Sequence, residues 1–254
     1  MSDDSSRVRI LENIINKMRG DDMTLKQCSL VSRSFHSPSR RNLFFSIDLD
    51  TTKKVARLHQ LLVASPYVGR DIRELAVTLK QDVAKEWFAN DTVLADILGM
   101  LPSLNMLSWD ATACKSWTTL SPQLQTALVA LFRQPTLTTI AIRTLNDFPL
   151  AFFHAISSLK KLKLSSMSPL PGIRQLVMLP GLEMLGIEWL RGERAEDKLV
   201  LPNLQRLAFK DVRQGQSAAL AQQAIDTAAD TLEHIDWEYN MNRGTQSSRP
   251  GILL

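Results

Sequence analysis

The chain has 254 residues, 44% of them hydrophobic and 22% charged, the balance of a globular protein long enough for one large or two modest domains. Its formal net charge is only +4, and the small basic concentrations at Arg40-Arg41, Lys53-Lys54 and Lys160-Lys161-Lys163 do not form the stripe a nucleic-acid binder shows. No run of 18 apolar residues occurs and the start, Met1-Ser2-Asp3-Asp4, is acidic, so neither a spanning helix nor a secretory leader is expected, and the predicted compartment is cytosolic or nuclear.

Residues 7–46 crowd three short helical patterns together. Val8, Leu11, Ile14, Ile15 and Met18 recur at spacings of three and four, which puts them on one helical face, and Gly20 follows as a stop. Thr24 is placed to cap a second short helix carrying Leu25 and Cys28, while Leu30, Val31 and Phe35 extend the apolar face until Pro38 ends it. Asn42 to Leu49 then partly alternates apolar and polar residues, which predicts a first strand. The two cysteines, Cys28 and Cys114, are far apart and form no Cys-x-x-Cys pair, so both read as buried free thiols.

Beyond residue 50 one short phrase returns seven times: a leucine or isoleucine, two free positions, a second apolar residue, one free position, a third apolar residue. The copies are Ile72 to Val77, Leu104 to Trp109, Leu137 to Ile142, Leu159 to Leu164, Leu182 to Ile187, Leu204 to Phe209 and Leu232 to Trp237, with starts 32, 33, 22, 23, 22 and 28 residues apart. Recurrence at this period is the mark of a stacked repeat array, and the phrase matches the strand half of a leucine-rich repeat. The predicted fold is therefore α/β, a degenerate leucine-rich-repeat solenoid with a parallel concave sheet behind an N-terminal helical module.

Between phrases lie segments of helical period: Val55, Leu58, Leu61 and Leu62; Trp87, Val93, Leu94, Ile97 and Leu98; Leu124, Ala127, Leu128, Leu131 and Phe132. The last opens on Ser121-Pro122, a serine cap with proline at the first helical position. Pro102, Pro180 and Pro202 each precede a repeat leucine by two residues, where they halt what comes before and admit an extended chain. Residues 241–254 have no periodicity and read as a flexible tail, giving predicted boundaries at 1–50, 51–240 and 241–254.

Lys26 to Phe35, followed by Arg40-Arg41-Asn42-Leu43-Phe44 and Ile47, closely resembles the F-box domain, especially that of the large fungal F-box families. With the repeats behind it, the chain resembles an F-box/leucine-rich-repeat protein. That resemblance implies a non-enzymatic substrate-recognition subunit of an SCF-type (cullin–RING) ubiquitin ligase. The F-box would dock on the ligase adaptor subunit through Ile10, Leu11, Ile14, Leu30, Val31 and Phe35, and the repeats would hold a protein substrate. In place of the Leu-Pro pair that opens the family's box stand polar residues near Ser6-Arg7, and the asparagine expected three residues after the last apolar position occurs only as Asn240. The alternative is a free-standing repeat scaffold that binds a partner without any ligase.

The phrase geometry predicts where such a substrate lies. Strand side chains alternate faces, so with the three apolar slots in the core the free positions share the other face. After the final apolar slot the repeats carry Asp110, Arg143, Ser165, Glu188, Lys210 and Glu238, beside Lys161, Lys163, Arg206, His234 and Asp236. These charged residues are the candidate substrate contacts. Trp109 and Trp237 fill third apolar slots and are read as core. No phosphate loop, nucleophile elbow or zinc spacing occurs, and His36, His59, His154 and His234 are scattered, so no enzyme, metal or cofactor is expected, and no membrane or nucleic-acid partner either.

Overall fold

The computed structural model describes residues 3–78, 92–110, 116–149, 152–153, 156–166, 176–188, 198–210 and 216–238. The readings of Trp87, Cys114, His154, Asn240 and the tail at 241–254 lie outside the described residues, as do the side chains of Ser6, Arg7, Val8, Trp237 and Glu238.

Three helices open the chain: α1 (Asp3–Lys17), α2 (Asp22–Val31) and α3 (Arg33–Leu43). α1 buries Ile15 and half-buries Leu11, Met18 is half-buried in the turn that follows, and Gly20 reverses the chain with a left-handed φ of 95° that suits a residue without a side chain. The cap of α2 is Asp21, not Thr24. Its carboxylate accepts from the Thr24 amide at 3.0 Å and from Thr24 Oγ1 at 2.7 Å, and a charged acceptor one residue ahead of the helix outcompetes a hydroxyl inside its first turn. Nor does Pro38 end the third helix, which runs through it to Leu43. Asn42 explains this: its amide donates to the Pro38 carbonyl at 3.0 Å and to Asn16 Oδ1 at 2.8 Å, while its Oδ1 accepts from Arg19 at 3.1 Å, so tertiary bonds hold the turn that proline weakens. Cys28 is a free thiol but only half-buried.

The exposed Asp21 carboxyl is held below its ordinary pKa, first by the bond from the Thr24 amide and then by that from the Thr24 hydroxyl. A folded-state pKa depressed in this way contributes stability above the unfolded value and loses it as pH falls through the folded one. In thermal melts Asp21→Ala should therefore lower Tm near neutrality, and the gap from the parent should close as pH falls through the depressed folded-state pKa of Asp21.

All seven phrases are strands. β1 (Ser46–Leu49), β2 (Glu74–Thr78), β3 (Met106–Asp110), β4 (Thr139–Arg143), β5 (Lys161–Ser165), β7 (Met184–Glu188), β9 (Arg206–Lys210) and β10 (His234–Glu238) form one eight-stranded parallel sheet in chain order. The register is that of the phrase, with Leu75, Leu107, Ile140, Leu162, Leu185, Leu207 and Ile235 in one row across it. β1 extends the row with Ile47, which makes Phe44-x-x-Ile47-x-Leu49 an eighth copy whose leading phenylalanine hid it.

A backbone device repeats with the phrase. The carbonyls of Phe45, Arg73, Asn105, Thr138, Lys160, Glu183 and Gln205 each accept two amides from the next strand's entry, for instance Glu183 N and Met184 N on Lys160 at 2.8 and 2.9 Å. One acceptor shared by two donors pins each strand's start to its predecessor.

Phrase spacing decides what forms the second layer. The long spacings hold helices: α4 (Thr52–Ala64), α5 (Thr92–Gly99), α6 (Pro122–Phe132) and α7 (Gln216–Thr227), with α5 packed between α4 and α6. Ser121 Oγ caps α6 by accepting from Leu124 N at 3.2 Å, with Pro122 at the first helical position. Two of the shorter spacings, of 22 and 23 residues, hold the short strands β6 (Leu176–Met178) and β8 (Lys198–Val200), paired parallel apart from the main sheet. The core fills the space between the layers: Ile72 and Leu75 and their equivalents in each later repeat through Leu204 and Leu207 are all buried. At its centre Trp117, Phe132, Phe148, Phe152 and Phe153 form an aromatic cluster with centroids 5.2–6.4 Å apart.

The helical unit is bolted to the sheet. Arg40 reaches Asp71 with Nε at 3.1 Å and a second guanidinium nitrogen at 3.0 Å, and the Arg19 guanidinium lies 3.6 Å over the Phe45 ring. Among the described residues no helix is long and apolar enough to cross a membrane.

Candidate functional site

On the sheet face away from the helices, the free positions line up in three rows. The first, at strand entries, reads Glu74, Met106, Thr139, Lys161, Met184, Arg206 and His234. The second reads Ala76, Ser108, Ala141, Lys163, Gly186, Ala208 and Asp236, and the third Thr78, Asp110, Arg143, Ser165, Glu188, Lys210 and Glu238. The structure thus brings all ten sequence-predicted substrate contacts into three adjacent rows, neighbours within a row being about 4.8 Å apart.

The rows are chemically unlike. In the third, Arg143 stands between Asp110 at 3.9 Å and Glu188 at 3.7 Å, reaching past Ser165. Thr144 Oγ1 donates to Asp110 at 2.7 Å and Ser165 Oγ to Glu188 at 3.0 Å. Thr144 and Ser166 take left-handed φ values of 58° and 52° just after their strands, and their amides donate to the Ser165 and Glu188 carbonyls. The alternating ladder therefore consumes much of its own charge, and each exposed pair of this kind contributes only about 0.2–1 kcal/mol.

In the first two rows the cations keep their charge. Lys161, Lys163 and Arg206 are exposed and have no ion pair among the described residues, whereas Lys160 is tied to Glu183 at 2.8 Å. His234 Nε2 lies 3.0 Å from Asp236. Between these side chains runs an open groove of about 630 Å³, lined by Met106, Ala141, Lys163, Met184, Gly186 and Ala208 among others. Its floor of small residues escaped the sequence reading. The signal was there in the single free position between the second and third apolar slots of successive phrases, which carries Ala, Ser, Ala, Lys, Gly and Ala from β2 to β9.

The helical unit offers a different surface. Ile10, Ile14, Leu30 and Val31 are 58%, 44%, 87% and 74% exposed, while Leu11 and Phe35 are half-buried. Met23, which the sequence reading passed over, is exposed as well. Of the described histidines, His59 lies 3.7 Å from Asp96 and His36 faces the Ser29 carbonyl at 3.4 Å. No group of three or more His, Cys, Asp or Glu placed to hold a metal occurs among the described residues. Comparison of the sequence with known protein families and with curated proteins finds no match.

Proposed function

We propose that the chain is a substrate-recognition subunit of an SCF-type ubiquitin ligase, an F-box-like helical module carrying a leucine-rich-repeat solenoid. The module would dock on the ligase adaptor and the sheet face would hold a protein substrate. The observation that carries this reading is the exposure of Ile10, Ile14, Leu30 and Val31 on a unit small enough to need every apolar side chain it has. They are four of the six positions at which the F-box resemblance places the adaptor contact. The repeat reading draws on the in-register phrases, the sequential parallel sheet and the helices or short strands that return between them.

Co-purification with the ligase adaptor tests the docking half. Leu30→Asp with Val31→Asp should weaken capture by roughly 100-fold or more, since each buried apolar side chain contributes about 1.5–3 kcal/mol and two carboxylates would be desolvated besides. Both residues are already in water, so stability should change by less than about 0.5 kcal/mol per site. Unaltered capture by a folded double variant rules the adaptor face out.

The polar Ser6-Arg7 in place of the family's opening Leu-Pro favours a second reading, a repeat scaffold without ligase. On that reading the parent protein itself captures no adaptor, while substitutions on the sheet face still abolish partner binding.

A further inference from the structure

We propose that the groove on the sheet takes an extended acidic segment of a partner protein, an apolar residue flanked by carboxylates, laid across β5, β7 and β9. This deepens the reading of the exposed sheet face as the partner-binding face and rests on it.

The argument begins from charge. The acids around the groove are already engaged within the chain: Asp110 by Thr144 and Arg143, Glu188 by Ser165 and Arg143, Asp236 by His234, and Glu183 by Lys160. Lys161, Lys163 and Arg206 project from the same face, exposed and without an ion pair among the described residues. Arg143 offsets only one of its two acids and a hydrogen bond leaves the charge on Asp236, but Lys161, Lys163 and Arg206 outnumber these two residual charges, so the patch is net positive. A partner that meets it with carboxylates gains orientation and association rate, and one that meets it with lysines is repelled.

Register then sets the pattern. Lys161 and Arg206 occupy one row with Met184 between them, two strand spacings apart, or about 9.6 Å. Cation, thioether, cation is the complement of acid, apolar, acid on a chain running across the strands. In the neighbouring row Lys163 leans over β7, where a Cβ on Gly186 would stand 3.3 Å from its Cγ. Glycine there, with Ala208 beside it and Ala141 beyond Lys163, keeps the floor low enough for a backbone to lie close. Three cations around an apolar floor suit one polypeptide segment better than a phosphate polymer, which calls for a longer basic stripe.

The test uses the full chain and a fluorescein-labelled peptide, Asp-Glu-Leu-Glu-Asp, read by fluorescence anisotropy. Two control peptides replace the acids by Lys or by Ser, and a single-stranded oligonucleotide tests phosphate. Saturable binding of the acidic peptide is expected, weakening steeply with added salt. Reversal of Lys161, Lys163 and Arg206 to Glu should cut it at least about tenfold and turn preference toward the Lys peptide, while Lys53→Gln, which removes an exposed cation on α4 outside the groove, leaves it within about twofold. Gly186→Val, which fills the floor, should also cut it. Equal affinity of the triple variant, no preference for the acidic peptide, or tighter binding of the oligonucleotide overturns the proposal. If a neutral or basic peptide binds and Gly186→Val blocks it, only the charge class is wrong. If no peptide binds at all, the partner-face reading falls with it.

Discussion

Leu185→Ala is expected to lower the unfolding free energy by about 2–5 kcal/mol, and Leu162→Ala by a similar amount. The two side chains are 2% and 3% exposed and stand side by side in the row that crosses the whole sheet, so each cavity opens into the core shared with the next repeat. Two controls sharpen the expectation. Ile235 lies in the same row at the outer strand but is 48% exposed, and Ile235→Ala should cost under about 1 kcal/mol. Lys163 is next to Leu162 in sequence and points to the other face, so Lys163→Ala should cost almost nothing. Urea denaturation with the m-value monitored separates these outcomes, and equal losses at Leu162 and Lys163 would overturn the register described above.

Phe148→Ala should cost about 3–5 kcal/mol, the range for deleting a buried aromatic. Phe148 is fully buried and meets Trp117 at 5.2 Å, Phe152 at 6.0 Å, Phe132 at 6.1 Å and Phe153 at 5.2 Å between ring centroids. It therefore touches four rings, and an edge-to-face or offset pair contributes about 0.5–1.5 kcal/mol beyond area burial. Phe148→Leu, which keeps most of the volume but none of the ring geometry, should recover more than half of the loss. Calorimetric or denaturant unfolding of the two variants decides this. Equal destabilisation by Ala and Leu would show that volume contributes nothing at this position.

Much of the sheet was legible because the phrase carries its own register: three apolar slots at fixed offsets dictate both the strand and which residues face inward. Six of the seven copies place their apolar residues in the buried row as read, and the seventh ends at an exposed Ile235 beside a side chain at 237 outside the described set. The helices α4, α5 and α6 were legible for the same reason, since leucines recur along them at spacings of three and four. α7 was not, because its buried side is alanine, Ala221 and Ala224, and alanine barely marks a period. Nor were β6 and β8, three residues each, too short to show alternation. At the helical unit, the rivalry of Asp21 and Thr24 for the cap and the passage of α3 through Pro38 turn on a carboxylate and on Asn42, whose partners lie 26 and 23 residues away. Local pattern cannot see such bonds. For the candidate site, the charged positions were found by counting offsets, but which of them remain free depended on Arg143 reaching two acids at once.

A sheet whose strands follow one another in chain order has a kinetic meaning. Every pairing, β1 with β2 through β9 with β10, joins segments of adjacent repeats, so no strand waits for a distant one to arrive. Loop closure is then paid in small, similar steps, and order can spread outward from whichever repeat forms first. The aromatic cluster joins rings that all lie between β3 and β5 in the chain, so they meet over short loops, which makes β3 to β5 the natural starting point. Hydrogen exchange should accordingly fall off from that centre, with the amides of β10 opening well before those of β4.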